Sequence, residues 1–285
     1  MVRLRPEMCG TAKRIAGNVQ RDDVGSIVDI TELAGGFVIL GSWPFELPGW
    51  KFPLIIADPS YGKIVNELWD HRHQLASDHA REQLNHLAWC DYHAPSGGAC
   101  YWFGGYGKPG YRPYYKVIDN VEQCTDWRIA MPITWAKRRA YGVQHNYLST
   151  REEILYMVKG DIKKPRMFNV PYTDEPCETR GYDPKYQTKR DVKRRSAVWS
   201  DTIFCTELLR GKRGPCEKPQ SLLRCIIETH TQPGDWVLDL YSDTGACALA
   251  CQTLGRRFVA VEERAEPSDP KWQNGYHAIV ERLSA

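Results

Sequence analysis

Residues 54–61 read Leu54-Ile55-Ile56-Ala57-Asp58-Pro59-Ser60-Tyr61. A short apolar run that stops at a proline is the pattern of a buried strand closed by a rigid turn. Pro59 has a fixed φ and no N–H, so it cannot continue a central strand. Asp58 is thereby placed at the carboxyl edge of the strand, where open α/β sheets hold their ligands. Tyr61 follows as an aromatic face. An acceptor, a rigid turn and a flat ring can hold a planar base that carries an amine. Taken alone, the stretch also reads as a plain surface turn, since Asp, Pro and Ser all favour turns.

Residues 234–262 add the second half of the pattern. Trp236 to Leu240 predicts a strand, followed by a turn of small residues, a helix, and a second strand from Arg257 to Val261 that ends in Glu262. This is a βαβ unit with an acid about twenty residues beyond its first strand, the position that binds ribose hydroxyls. The glycine fingerprint of dinucleotide folds is missing. Only Gly245 stands in the turn, which serves a pyrophosphate poorly and argues against a Rossmann oxidoreductase.

The two stretches together resemble a known family. Asp58-Pro59-Ser60-Tyr61 is similar to the DPPY motif of amino-methyltransferases, and Val237-Leu238-Asp239-Leu240-Tyr241-Ser242-Asp243-Thr244-Gly245 to their cofactor motif VLDPFxGxGT. Glu217-Lys218-Pro219-Gln220-Ser221-Leu222-Leu223 resembles the EKPxxLL segment before the cofactor strand. Ile133-Thr134-Trp135-Ala136-Lys137 resembles the W.K strand, and Glu152-Glu153-Ile154-Leu155 the HE.IL segment after it. Asn274 to Leu283 resembles the closing helix. In this order the pieces are similar to the β-class DNA amino-methyltransferases, in which the catalytic motif precedes the cofactor motif.

That resemblance implies a doubly wound, mainly parallel α/β sheet with helices on both faces. It implies S-adenosylmethionine as cofactor and DNA as partner, and leaves room for a homodimer or a partner subunit. The catalytic residues would be Asp58, Pro59, Ser60 and Tyr61. The cofactor would be held by Lys218, Pro219, Ser221, Asp239, Tyr241, Ser242, Asp243, Thr244, Gly245 and Glu262. An exocyclic amine is a weak nucleophile because its lone pair is delocalised into the ring. Asp58 and the Pro59 carbonyl would accept its two N–H groups, Tyr61 would stack on the base, and the amine would attack a sulfonium methyl directly. Positioning and electrostatics carry such a reaction, without a covalent enzyme intermediate. The base must first leave the duplex.

An Asp at the head of the catalytic motif fits N6-adenine better than N4-cytosine. N4-cytosine transfer and a catalytically inactive nucleic-acid-binding relative are the alternatives. Two departures bear on them. Ser60 stands where the motif has a second proline, and Asp243 stands where the cofactor motif has glycine. Asp243 adds a Cβ and a charge at a turn that favours positive φ, which Asp tolerates better than most residues. Pro215-Cys216 resembles the nucleophile of cytosine-C5 enzymes but follows no buried strand.

Composition sets the outer bounds. The chain has 285 residues, 42% hydrophobic and 26% charged, the balance of a globular protein. It has no apolar run long enough for a membrane span and no signal-peptide pattern, so a cytoplasmic, nucleoid-associated protein of a prokaryotic or phage-infected cell is expected. Ten cysteines occur without a CxxC pair, so no zinc site is expected. His79, His86 and His93 recur at helical spacing and read as a surface or interface stripe. The helix around them, Ser77 to Trp89, would bury Ala80, Leu84, Leu87 and Ala88.

Charge divides the chain unevenly. Residues 159–195 hold eleven Lys/Arg against six Asp/Glu, a net of +5, which leaves −2 elsewhere for a total of +3. Local asymmetry of this kind can face phosphates. Lys185, Lys189, Arg190, Lys193, Arg194 and Arg195 are the candidate nucleic-acid contacts. The expected organisation is an N-terminal arm (1–35), a catalytic half (36–159), an irregular basic insertion that is the candidate target-recognition region (160–205), and a cofactor-binding half (206–285).

Overall fold

The computed structural model describes residues 26–43, 45, 47–62, 72–141, 145, 147, 149–176, 192–200, 213–214, 216–267 and 269–285. The strands are β1 (Ile27–Leu33), β2 (Gly36–Gly41), β3 (Leu54–Ala57), β4 (Ala99–Gly104), β5 (Trp127–Tyr141), β6 (Ser149–Lys159), β7 (Tyr172–Pro176), β8 (Val192–Arg194), β9 (Val198–Trp199), β10 (Trp236–Asp239) and β11 (Arg257–Glu262). The helices are α1 (Ala76–His93), α2 (Pro113–Cys124), α3 (Gln220–His230), α4 (Ala246–Thr253) and α5 (Tyr276–Ser284). Among the described residues nine strands form one sheet in the order β1-β2-β11-β10-β3-β4-β6-β5-β9, and β7 pairs with β8 apart from it. The centre, β2-β11-β10-β3-β4, is parallel throughout. β6 then runs antiparallel to both β4 and β5.

Period-two alternation in β3 explains the layers. Leu54 and Ile56 face a core that holds Leu222 and Ile226 of α3 and Ala250 of α4. Ile55 and Ala57 face the opposite core, with Leu87 of α1 and Val121 of α2. None of the four is more than 3% exposed, which is why the run reads apolar at every position. Burying each of Leu54, Ile55 and Ile56 contributes about 1.5–3 kcal/mol. The sheet is doubly wound, with helices on both faces, as the sequence led us to expect.

Three readings change. Residues 27–33, placed in the arm, form the edge strand β1, antiparallel to β2. Their side chains are largely exposed, so the core-facing signal that announces a strand is weak there. Within the insertion, Val198 and Trp199 join the main sheet beside Thr134 and Trp135, and Trp199 is buried. Helix α1 buries Ala76, His79, Ala80, Gln83, His86, Leu87, Cys90 and His93, whereas Leu84 is half-buried and Ala88 is exposed. The histidine stripe therefore faces inward, and each ring has a hydrogen-bond partner there. Among the described residues no group of His, Cys, Asp and Glu could hold a metal ion, and no helix is long and apolar enough to cross a membrane.

Candidate active site

β3 leads to β4 on one side of the sheet and β10 leads to β11 on the other, so strand order reverses between β3 and β10. Ligands of open α/β sheets bind outside the carboxyl ends of strands at such a point. Asp58 ends β3, Asp239 ends β10 and Glu262 ends β11. A half-open cleft lies at this place. Asp58, Lys218, Asp239, Tyr241, Ser242, Asp243 and Thr244 line it, with Phe103 and Cys216. Burial pushes the Cys216 thiol up to about 11, so it is not a thiolate near neutral pH.

The catalytic turn is a knot of charges. Lys218 Nζ is paired with Asp58 Oδ2 and lies 3.6 Å from Glu152 Oε2. Glu152 is also paired with Lys137. The Tyr61 hydroxyl lies 2.9 Å from Asp58 Oδ1 and 3.1 Å from Glu152 Oε2, so its single proton is shared between two carboxylates. Burial, followed by the neighbouring Asp58 charge, pushes the Tyr61 phenol well above its ordinary value. Ser60 Oγ accepts the Gly62 N–H at 3.2 Å, a local bond that a proline could not offer.

A relay from α1 holds the same turn. Trp102 Nε1 can only donate, so the Gln83 atom 3.2 Å away is its carbonyl oxygen. The Gln83 amide nitrogen then donates to the Ser60 carbonyl at 3.1 Å and faces His79 Nε2 at 3.1 Å. His79 Nε2 is thereby the acceptor, and its proton sits on Nδ1, 3.3 Å from the Tyr111 hydroxyl.

The cofactor turn is held differently. Asp243 is the one non-glycine among the described residues with positive φ, +45°. That conformation costs a non-glycine about 1 kcal/mol or more, and Asp is among the residues that visit it. Four bonds offset the cost. The Asp243 N–H reaches Glu262 Oε2 at 2.8 Å, and its carbonyl accepts the Gly275 N–H at 2.8 Å. Asp243 Oδ1 accepts from Arg264 Nη2 at 2.8 Å and from Asn274 Nδ2 at 2.7 Å. Gly245 opens α4 at φ +73°, where a Cβ would meet Ile279 Cγ2 at 2.8 Å. Glu262 is almost fully buried and also accepts from the Arg264 N–H and Nε. Burial raises its carboxyl despite the opposing Arg264 charge. Asp239 is pushed up to about 7 by burial, against bonds from the Ser242 side chain and the Tyr241 N–H. The Tyr241 hydroxyl bonds His86 Nδ1 on α1, and burial drives His86 down to about 4.

Of the residues named from sequence, the structure gathers Asp58, Lys218, Asp239, Tyr241, Ser242, Asp243 and Thr244 around one cleft. Pro59, Ser60 and Tyr61 form the turn behind Asp58, whereas Pro219, Ser221, Gly245 and Glu262 flank the cleft without lining it. Lys193, Arg194 and Arg195 lie on or just after β8, outside the cleft lining; the Arg195 guanidinium sits 5.8 Å from the Trp199 ring. Lys185, Lys189 and Arg190 fall outside the described residues. Sequence reading gave no role to Gln83, Lys137, Glu152, Arg264 or Asn274. Lys137, Glu152 and Asn274 stood inside quoted motif segments, which was the available signal.

The donor set suits S-adenosylmethionine. Four carboxylates in the lining, Asp58, Glu217, Asp239 and Asp243, suit its sulfonium and ammonium charges, and Lys218 suits its carboxylate. Asp243 Oδ2, buried and without a hydrogen-bond partner, keeps an acceptor free in the same lining.

Comparison with known proteins agrees with this geometry. Residues 52–269 match a family model for N6/N4-type DNA methylases. The Type II methyltransferase M2.DpnII of Streptococcus pneumoniae is 29% identical over 155 residues, 53% of this chain and 52% of that protein. M2.LlaDCHI of Lactococcus lactis subsp. cremoris is 25% identical over 154 residues, again 53% and 52%. The chain thus spans about half the length of the curated relatives it matches. Among solved structures, the PvuII cytosine-N4-specific DNA methyltransferase aligns with a TM-score of 0.59 at 12% identity, covering 82% of this chain and 84% of that one. The M1.HpyAVI–SAM complex aligns at 0.50 and 21%, covering 83% and 90%. These structural matches establish a shared fold, and the family match over residues 52–269 assigns the chain to the N6/N4 DNA methylase family.

Proposed function

We propose that the chain is an S-adenosylmethionine-dependent DNA methyltransferase that acts on the exocyclic N6 amine of adenine in a flipped base. The carrying observation is Asp58 at the switch point, in one cleft with Asp239, Asp243 and Lys218. Bound there, S-adenosylmethionine supplies a sulfonium methyl group open to in-line attack by an amine. Asp58 accepts one N–H of the target amine and the Pro59 carbonyl accepts the other, which draws the nitrogen lone pair out of the ring. Lys218 occupies Asp58 in this structure. Glu152, 3.6 Å from the same ammonium, offers it an alternative partner when the base arrives. The proton lost from the methylated nitrogen passes to Asp58, the nearest acceptor. Asp239 lies at the mouth of β10 and Glu262 at that of β11, the place for the ribose in this fold class. The Type II methyltransferase relatives support a role in sequence-specific modification.

Nucleoside mass spectrometry tests the reading on DNA from a methylation-free host that expresses the chain, beside an Asp58→Ala control. N6-methyladenine with the wild type alone supports it. N4-methylcytosine keeps the family and overturns the base. Absence of any methylated base with folded protein overturns the activity.

A further inference from the structure

We propose that residues 105–116 form a DNA-contact surface, which holds the strand flanking the flipped base. This rests on the reading of the chain as a DNA methyltransferase. The segment carries three cations (Lys108, Arg112 and Lys116), four tyrosines and no acid. Among the described residues none of the three cations makes a salt bridge, and Arg112 Nε has no hydrogen-bond partner. Unneutralised cations grouped on one short segment are what a polyanion requires.

Aromatic side chains complete the surface. Tyr106 is 48% exposed and Tyr115 40%. Their rings stand perpendicular with centroids 6.1 Å apart, and the Arg112 guanidinium lies 4.3 Å from the Tyr106 centroid. Exposed aromatic faces beside cations are the means by which proteins stack nucleotides while neutralising phosphates.

The surface is fixed to the catalytic turn. Gly105 backs onto the Tyr61 ring, where a Cβ would meet Tyr61 Cδ2 at 2.8 Å. The Tyr111 ring fills the space a Cβ of Gly62 would need, at 2.4 Å, and its hydroxyl donates to the His73 carbonyl at 3.2 Å. Backbone bonds from Lys108 N to Tyr111 O at 3.1 Å and from Tyr111 N to Lys108 O at 2.9 Å close the turn that presents Lys108. β4, which leads into the segment, lies beside β3, so the cations stand at the same sheet edge as Asp58. A strand whose base enters the Asp58 cleft has this segment as its neighbour.

The test is fluorescence anisotropy of a labelled mixed-sequence duplex with wild type, Tyr106→Ala, Tyr106→Phe and Lys108→Ala/Lys116→Ala, over about 50–200 mM salt. Tyr106→Ala is expected to weaken binding roughly 5- to 100-fold and Tyr106→Phe to restore it. The double lysine variant should lower the slope of log affinity against log salt by about 2, at roughly 0.9 per phosphate. Lys51→Ala, before β3 at the opposite sheet edge, should change neither. S-adenosylmethionine affinity, measured by calorimetry, should stay within twofold of wild type in all variants, about the spread of such measurements. Wild-type affinity and slope in both Tyr106→Ala and the lysine pair overturn the inference, as does a wild type that binds no duplex. A wild type that methylates DNA while the variants bind unchanged overturns this inference alone. A wild type that binds duplex through these residues but transfers no methyl group overturns the proposed function alone.

Discussion

The catalytic turn and the cofactor turn each depart from the family motif at one position, and the molecule accommodates the two departures by different means. At the catalytic turn Ser60 replaces a proline, so rigidity that the ring would supply covalently comes from Gln83, which reaches across from α1 to the Ser60 carbonyl. At the cofactor turn Asp243 replaces a glycine, and the left-handed backbone is held by charge-assisted bonds from Arg264 and Asn274. The first turn is braced by a neutral amide relay behind a buried ion pair, the second by charge-assisted bonds between partly exposed groups. Neutral hydrogen bonds set geometry at low electrostatic cost. Buried charges respond strongly to whatever ion enters the cleft.

Lys218 is where the comparison should break hardest. Lys218→Met keeps the side-chain stem and removes the cation between Asp58 and Glu152. Two carboxylates then face one another, 21% and 13% exposed. Removing one partner of such a buried pair costs about 3–4 kcal/mol, measurable by chemical denaturation.

Asp239→Asn sharpens the electrostatic half. The Asp239 carboxyl is raised from 3.8 to about 7 by burial, so the folded state holds its proton more tightly than the unfolded state. Stability is therefore lost as pH rises from the unfolded value through the folded one. The Asn variant should match wild type near pH 4, gain on it as pH rises toward 7, and level off above that, more stable by several kcal/mol. A constant difference across that range would show that Asp239 is not the titrating group.

Gln83→Leu probes the relay. It strands the Trp102 N–H and frees the Ser60 carbonyl, costing about 1–2 kcal/mol. Turnover should fall roughly tenfold while cofactor affinity changes less, because Gln83 itself bonds the catalytic turn and reaches the cofactor turn only through the Trp102 ring, 6.1 Å from that of Tyr241. Gln83→Glu keeps the acceptor for Trp102 but loses the donor to Ser60, so it should not restore turnover.

The smallest effect lies at Asp243. Both Asp243→Ala and Asp243→Gly lose the bonds from Arg264 and Asn274, but alanine alone keeps the left-handed strain. The glycine variant should be about 1 kcal/mol the more stable of the two. Equal stabilities would mean that the backbone relaxes and that φ +45° is not what the Arg264–Asn274 clamp maintains.

Much of this site was legible because its signals are local. Leu54 to Ala57 announces a doubly buried strand by being apolar at every position, and Pro59 ends it. Asp239 to Gly245 announces a strand–turn–helix by its small residues. Lys218 was legible from a motif segment, but its partners were not. Lys137 meets Glu152 only through the antiparallel register that sets Trp135 opposite Glu152, a pairing no local pattern encodes. Gln83 was invisible for another reason. A polar residue on an amphipathic helix reads as surface, and here the inward face of α1 meets a polar turn, so His79, Gln83 and His86 point in while Ala88 points out. The edge strand β1 escaped because its side chains stand mostly in solvent.

The Asp58 cleft is proposed to transfer a methyl group from S-adenosylmethionine to a base amine. The most direct measurement pairs calorimetric titration of the cofactor with transfer of labelled methyl to unmethylated DNA, for purified wild type and Asp58→Ala. The expected result is cofactor binding by both proteins, and label in N6-methyladenine that falls at least about 100-fold in the variant. Equal transfer by the two proteins, or no cofactor binding by the wild type, would contradict the claim.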